Sequence, residues 1–260
     1  MNRIYLTIPV LTLLFASCGE AEAESSTVEQ QDEGVEVTNN MEHYVREDGA
    51  EVFAMTDGKE MIIQSIDGAT CDGQKFNEVI DESSVIDVDT LVQRRGDSLV
   101  FTTYPTFDGI RKEVVLVNEL VEGDVHSEGF NFTYQGVLGQ LESWVVFAKG
   151  FEQDKTILID KYSGKQTELV GMPIVSPDKR FVLVGNADQE VGYTENHLSL
   201  YKWDWDANQM ELLVKAPLDQ MGWAPYEVVW TDDYHFTIKQ GRFNEETYAI
   251  DYSCAEVTIE

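Results

Sequence analysis

Val175-Ser176-Pro177-Asp178-Lys179-Arg180-Phe181-Val182-Leu183-Val184 runs from a polar turn straight into a continuous apolar segment. Proline presets one turn dihedral and aspartate offers an acceptor to the amides that follow it. Phe-Val-Leu-Val is then a run of strand length and strand composition. The same order recurs at Gly96-Asp97-Ser98-Leu99-Val100-Phe101, at Leu141-Glu142-Ser143-Trp144-Val145-Val146-Phe147 and at Asp232-Asp233-Tyr234-His235-Phe236-Thr237-Ile238. After each copy comes a loop and a second strand, at residues 114–117, 156–160, 198–203 and 248–252. In the two clearest copies that strand turns back into a third, through Tyr162-Ser163-Gly164-Lys165 to residues 167–170 and through Asp206-Ala207-Asn208 to residues 210–213. Residues 172–175 and 227–230 precede two of the turns as further strands, giving four antiparallel strands per unit. A weaker copy, residues 51–55 and 60–66, opens the body.

Apolar residues from His43 onward alternate with a period of two, and long helical periods are absent, so the body is all-β. Five units between residues 43 and 260 average about 44 residues, the length of one β-propeller blade. Residues 175–183 resemble the "SPDG+" turn and strand of WD-like and TolB-type β-propeller repeats, in this copy alone. The resemblance implies a β-propeller domain over 43–260 of four-stranded blades; the repeat count favours five, and four blades or a ring completed by a partner also fit. It implies no activity, because fold does not fix function. A β-sandwich, also built from evenly spaced strands, is the alternative architecture.

Residues 1–17 read as a secretory signal: Arg3 in a charged start, an apolar run from Ile4 to Phe15, then Ala16-Ser17 before Cys18-Gly19. The run falls short of the roughly 20 residues needed to span a bilayer. Ala16-Ser17-Cys18-Gly19 resembles a bacterial lipobox, with Phe15 where leucine is usual. That resemblance implies cleavage before Cys18, a lipid on its sulfur and a place in the cell envelope, at the outer membrane. Residues 18–42 hold many acids and, through Asn40, no aromatic, which reads as a disordered, self-repelling tether.

The chain carries 48 acidic and 18 basic residues, a net charge of −30. Such a field repels phosphate backbones and anionic headgroups, so nucleic acid is excluded as a partner and membrane attachment falls to the lipid. Of three cysteines, Cys18 is assigned to lipid. Cys71 and Cys254 then remain either as a disulfide joining the two ends of the body or as separate thiols.

No catalytic residue can be named. There is no Gly-x-Ser-x-Gly elbow and no phosphate-binding glycine loop. His43, His126, His197 and His235 lack zinc spacing. Asp204-Trp205-Asp206-Ala207-Asn208 opens like a calcium loop, but Gln209 replaces the turn glycine and Lys215 the terminal acid, so a hairpin tip is expected and no metal or cofactor. Asp87, Asp89, Asp97, Glu142, Asp178, Asp232 and Asp233 lie near unit turns, as the paired acids of a glycoside hydrolase would. Trp223 and Tyr226, in Gly-Trp-Ala-Pro-Tyr, form the expected exposed binding surface, with Tyr193 as a companion on another unit, while Trp144, which could join them, and Trp230 read rather as strand core residues. These readings together favour a non-enzymatic, lipid-anchored binding or scaffold protein for an envelope protein or glycan. The alternative is a carboxylate-dependent glycoside hydrolase, and a calcium-stabilised module ranks third.

Overall fold

The structure, a computed structural model, describes residues 42–68, 70–120, 128–189 and 192–260. The signal segment, Cys18, the tether before residue 42 and His126 lie outside them. The described residues form β1 (His43–Val45), β2 (Glu51–Ala54), β3 (Glu60–Ile66), β4 (Gln74–Lys75), β5 (Val92–Arg95), β6 (Ser98–Thr102), β7 (Glu113–Val117), β8 (Asn131–Leu138) and β9 (Ser143–Lys149). There follow β10 (Asp154–Asp160), β11 (Gln166–Leu169), β12 (Pro173–Val175), β13 (Phe181–Asn186), β14 (His197–Asp204), β15 (Gln209–Pro217), β16 (Ala224–Trp230), β17 (His235–Asn244) and β18 (Ala249–Ile259). The domain is all-β, with four open antiparallel sheets: β5-β6-β7, β11-β10-β9-β8, β12-β13-β14-β15, and a terminal sheet ordered β1-β2-β3-β18-β17-β16-β4.

Each polar turn singled out in the sequence delivers its strand, namely β6, β9, β13 and β17. The turn before β13 shows how. Ser176 Oγ donates to Asp178 Oδ1 (2.7 Å), the Arg180 amide donates to the same carboxylate oxygen (3.0 Å), and the Phe181 amide donates to Ser176 Oγ (3.0 Å). Aspartate plays the same part at other hairpins, where Asp160 accepts from the amides of Tyr162 and Ser163 and Asp232 from those of Tyr234 and His235.

Successive sheets pack face on face. Leu99 and Phe101 of β6 meet Tyr134, Trp144 and Ile157 of the next sheet. The other face of that sheet, with Val145, Leu158 and Leu169, packs on Val182, Val184 and Trp203. Phe181, Leu183 and Leu200 then pack on Phe53, Met61, Val228 and Phe236 of the terminal sheet. Because side chains alternate across a strand, β13 serves two cores at once, which is why its sequence is a continuous apolar run. A two-sheet sandwich has no such doubly buried middle layers, so the sandwich alternative is not what forms.

Of the unit numbers the sequence leaves open, the described residues form four sheets rather than the favoured five. The weak first copy, β2–β3, has no sheet of its own. β3 pairs with β18 over Ile66↔Cys254 to Met61↔Ile259, so the two ends of the body share one sheet. Its Met61 and Ile63 belong to the core shared with the third sheet, which is where its apolar residues find cover.

Residues 73–88 run past all four sheets, at β16, at Met172 just before β12, at β8 and at β5. The Phe76 amide donates to Tyr226 O (3.3 Å), and Phe76 O accepts from the Met172 amide (2.8 Å). Ile80 exchanges hydrogen bonds with the Gln135 side chain (2.7 and 3.3 Å), and the Glu82 carboxylate accepts from the Tyr134 amide and from Arg94. Gly185 makes room for this segment, since a Cβ there would stand 2.9 Å from the Phe76 ring.

Strand direction sorts the loops onto two faces. One carries the β6–β7 loop and the turns β10–β11, β12–β13, β14–β15, β16–β17 and β2–β3. The chain enters on this face, where Glu42 O accepts from the Ala54 amide (3.0 Å). The opposite face carries the β9–β10 turn and the β13–β14 loop.

Candidate functional site

On the face opposite the chain entry, a cleft of about 470 Å³ opens between the adjoining ends of β9 and β10 and the β13–β14 loop, with residues 76–79 along a third side. Its base is apolar, formed by buried Phe76 and half-buried Phe147 and Met172. Polar groups stand above it. Lys149 and Asp154 face each other across the hairpin, and Lys155 pairs with Glu168 (2.7 Å) while its ammonium lies 4.3 Å from the Phe130 ring centre. Partial burial pushes the Asp154 carboxyl above its ordinary value, against the opposing pull of the Gly150 amide and the Lys149 charge. Thr156, buried on β10, donates to Met172 Sδ (3.3 Å), a weak acceptor.

The β13–β14 wall is held by its own side chains. Asp188 accepts from the amides of Gly192 (3.0 Å) and Thr194 (2.8 Å) and from Thr194 Oγ1 (3.0 Å). Buried Asn186 donates to Thr194 Oγ1 and Glu195 O, both at 2.9 Å. Tyr193 lies between these anchors and is 58% exposed at the cleft rim. A smaller cavity of about 320 Å³ lies along β8, β12 and residues 74–80, lined by Gln74, Lys75, Glu78, Gln135 and Gln140 together with apolar side chains.

Of the expected surface, Tyr193 alone is exposed. Trp223 is fully buried in the core between the third and terminal sheets, whereas Trp144 lies fully buried between the first two, as its reading as a strand core residue has it. Tyr226 is half-buried against Tyr252, at 5.1 Å between ring centres, over Gly241. The correction has a physical cause: Gly222, at φ 68, turns the chain inward after the short 3-10 turn Leu218–Met221, and the indole of Trp223 follows it into the core.

Three of the seven turn acids, Asp89, Asp178 and Asp232, serve the fold through their carboxylates. Asp89 accepts from the Tyr134 hydroxyl (3.1 Å), the Trp144 indole (2.9 Å) and the Leu91 amide (2.9 Å). Asp178 and Asp232 close their own turns, and Glu142 takes φ 46 at the start of β9. In the calcium-like stretch, Asp204 accepts from the amides of Asp206 and Ala207, and Asn208 donates to Asp160 of the neighbouring sheet (2.5 Å). Those groups make a hairpin tip. His43 stacks on Phe53, His197 is buried, and His235 binds Asp232. Among the described residues, no three His, Cys, Asp or Glu side chains gather as a metal site. Cys71 and Cys254 are joined in a disulfide, with Cα atoms 6.0 Å apart.

Phe76, Phe147, Lys149 and Asp154 were not singled out from the sequence. They are 71 or more positions apart across the two segments that meet here, and no local spacing announces them. No protein-family model, curated protein or solved structure matches the chain.

Proposed function

We propose that this chain is a lipid-anchored, non-enzymatic binding protein of the bacterial cell envelope, carried at the outer membrane by a lipid on Cys18, and that its cleft takes a glycan. In this reading the four sheets are the blades of an open β-propeller. Their face-on-face succession, the two four-stranded meanders and the sharing of one sheet by both ends of the body support it. The observation that carries the functional reading is the cleft itself. An exposed tyrosine stands on a braced loop, opposite an apolar base rimmed by Asn77, Asp154 and Lys149, in a volume suited to one or two sugar rings. Aromatic faces stack on sugar C–H surfaces while the polar rim takes hydroxyl groups.

Titration calorimetry with short envelope-type oligosaccharides tests it. Tyr193→Ala is expected to weaken binding between about twofold and tenfold while leaving the melting temperature in place. If no oligosaccharide binds and an envelope protein does, the glycan assignment is wrong and the scaffold reading stands.

One observation favours a glycoside hydrolase as the second reading: the raised Asp154 carboxyl shares the cleft with Glu152 and Asp188. Release of reducing ends from a bound oligosaccharide, abolished in Asp154→Asn, decides for the enzyme; binding without turnover decides against it.

A further inference from the structure

We infer that the face through which the chain enters the domain contacts the bilayer, with Phe107, Tyr162 and Trp205 seated at the lipid interface; this rests on the lipid-anchor reading. Three neighbouring loops make the contact surface: residues 103–112 between β6 and β7, residues 161–165 between β10 and β11, and residues 205–208 between β14 and β15. They are tied into one ridge. The Tyr104 amide donates to Lys161 O (2.7 Å), the Tyr104 and Tyr162 rings lie 5.1 Å apart, and Lys112 Nζ donates to Ser163 O (3.3 Å). Asn208 reaches Asp160 (2.5 Å), and Lys165 Nζ reaches Gln209 (3.5 Å).

The ridge presents apolar and amphipathic side chains outward. Phe107 is 111% exposed, Ile110 58%, Tyr162 54% and Trp205 53%. Water is a poor solvent for a whole phenyl ring, whereas a headgroup layer accommodates phenyl, phenol and indole together. Charge agrees. These three loops hold four cations (Arg111, Lys112, Lys161 and Lys165) against two acids (Asp108 and Asp206), in a chain with 18 cations and 48 acids. The local reversal of sign lessens the repulsion between this ridge and a phosphate-bearing surface.

Chain entry points the same way. Glu42 is joined to the domain on this face and stands 24 positions from Cys18. Covalent geometry then holds the entry point within about 85 Å of the anchor. At that distance the surface sees the bilayer at an effective concentration in the millimolar range, so a weak contact suffices. The cleft lies on the opposite face and would open away from the membrane.

Trp205 is a built-in reporter, because of the five tryptophans Trp144, Trp203 and Trp223 are buried, Trp230 is half-buried and Trp205 alone is exposed. The experiment uses the full processed protein, purified from membranes and reconstituted into phosphatidylcholine–phosphatidylglycerol vesicles with and without brominated acyl chains. The mass of its Cys18 peptide is read on the same sample. The expected result is a diacylglycerol-bearing Cys18 and a loss of tryptophan emission in brominated vesicles, absent in Trp205→Phe and reduced in Phe107→Ser. A lipidated protein that floats with the vesicles, shows no such loss and keeps Trp205 open to acrylamide overturns the inference alone. An unmodified Cys18 overturns the anchor reading and the inference with it.

Discussion

Lys179 stands at φ 66, the left-handed position that the resembling repeat motif fills with glycine. Its side chain is exposed and nothing in the turn depends on it, so Lys179→Gly is expected to stabilise the domain by about 1 kcal/mol, read as a higher urea midpoint with unchanged slope. His197 illustrates a cost of the opposite kind. Burial holds its imidazole below the ordinary 6.5, with Nδ1 placed 3.2 Å from Glu195 O. The unfolded chain therefore takes up a proton that the folded chain refuses. Stability is full above pH 6.5 and declines as pH falls through and below that value. Melting temperatures measured from neutral to mildly acidic pH should show this decline, and His197→Gln should flatten it. A separate decline belongs to lower pH. The Asp178 carboxyl lies below 3.8 because the Arg180 amide, the Ser176 hydroxyl and the guanidinium together outweigh its partial burial, and that contribution is lost as the carboxyl protonates.

Among elements, the seam between β3 and β18 matters most, since it is where the two ends of the body meet. The disulfide Cys71–Cys254 stands beside it and spans 183 positions. Chain entropy alone gives such a bridge roughly 5 kcal/mol, an upper guide, because the six residue pairs of β3 and β18 already restrain the same ends. The double variant Cys71→Ala/Cys254→Ala is expected to lose about 2–5 kcal/mol by denaturant unfolding. Amide exchange should rise first in β3 and β18. The pairing was an even choice in the sequence, for nothing in cysteine spacing reports a Cα separation. The strands themselves were legible. All four turn-and-strand copies became β6, β9, β13 and β17, since a turn built by aspartate and a run with apolar residues on both faces are local facts. The weak copy at residues 51–66 was legible as two strands, yet its sheet was not, because strand partners are chosen by edges that lie almost 200 residues away.

At the scale of the whole molecule, the cleft and the entry-face ridge exist because the sheets are stacked in chain order and residues 73–88 run past all four. Trp223 shows how far a sequence pattern reaches: an indole in a Gly-Trp-Ala-Pro-Tyr loop reads as a surface anchor until the fold offers it a core. The sequence by itself determined the all-β class, the repeated unit, the polar turns and the cation-poor charge, all of which follow from near-neighbour chemistry and composition. Only the tertiary structure decided the number of sheets, the cysteine pairing, which aromatics are exposed, and the meeting of Phe76, Phe147 and Tyr193 around one cleft. Those outcomes depend on which distant faces bury each other, and burial is a property of the packed whole that no stretch of chain carries alone.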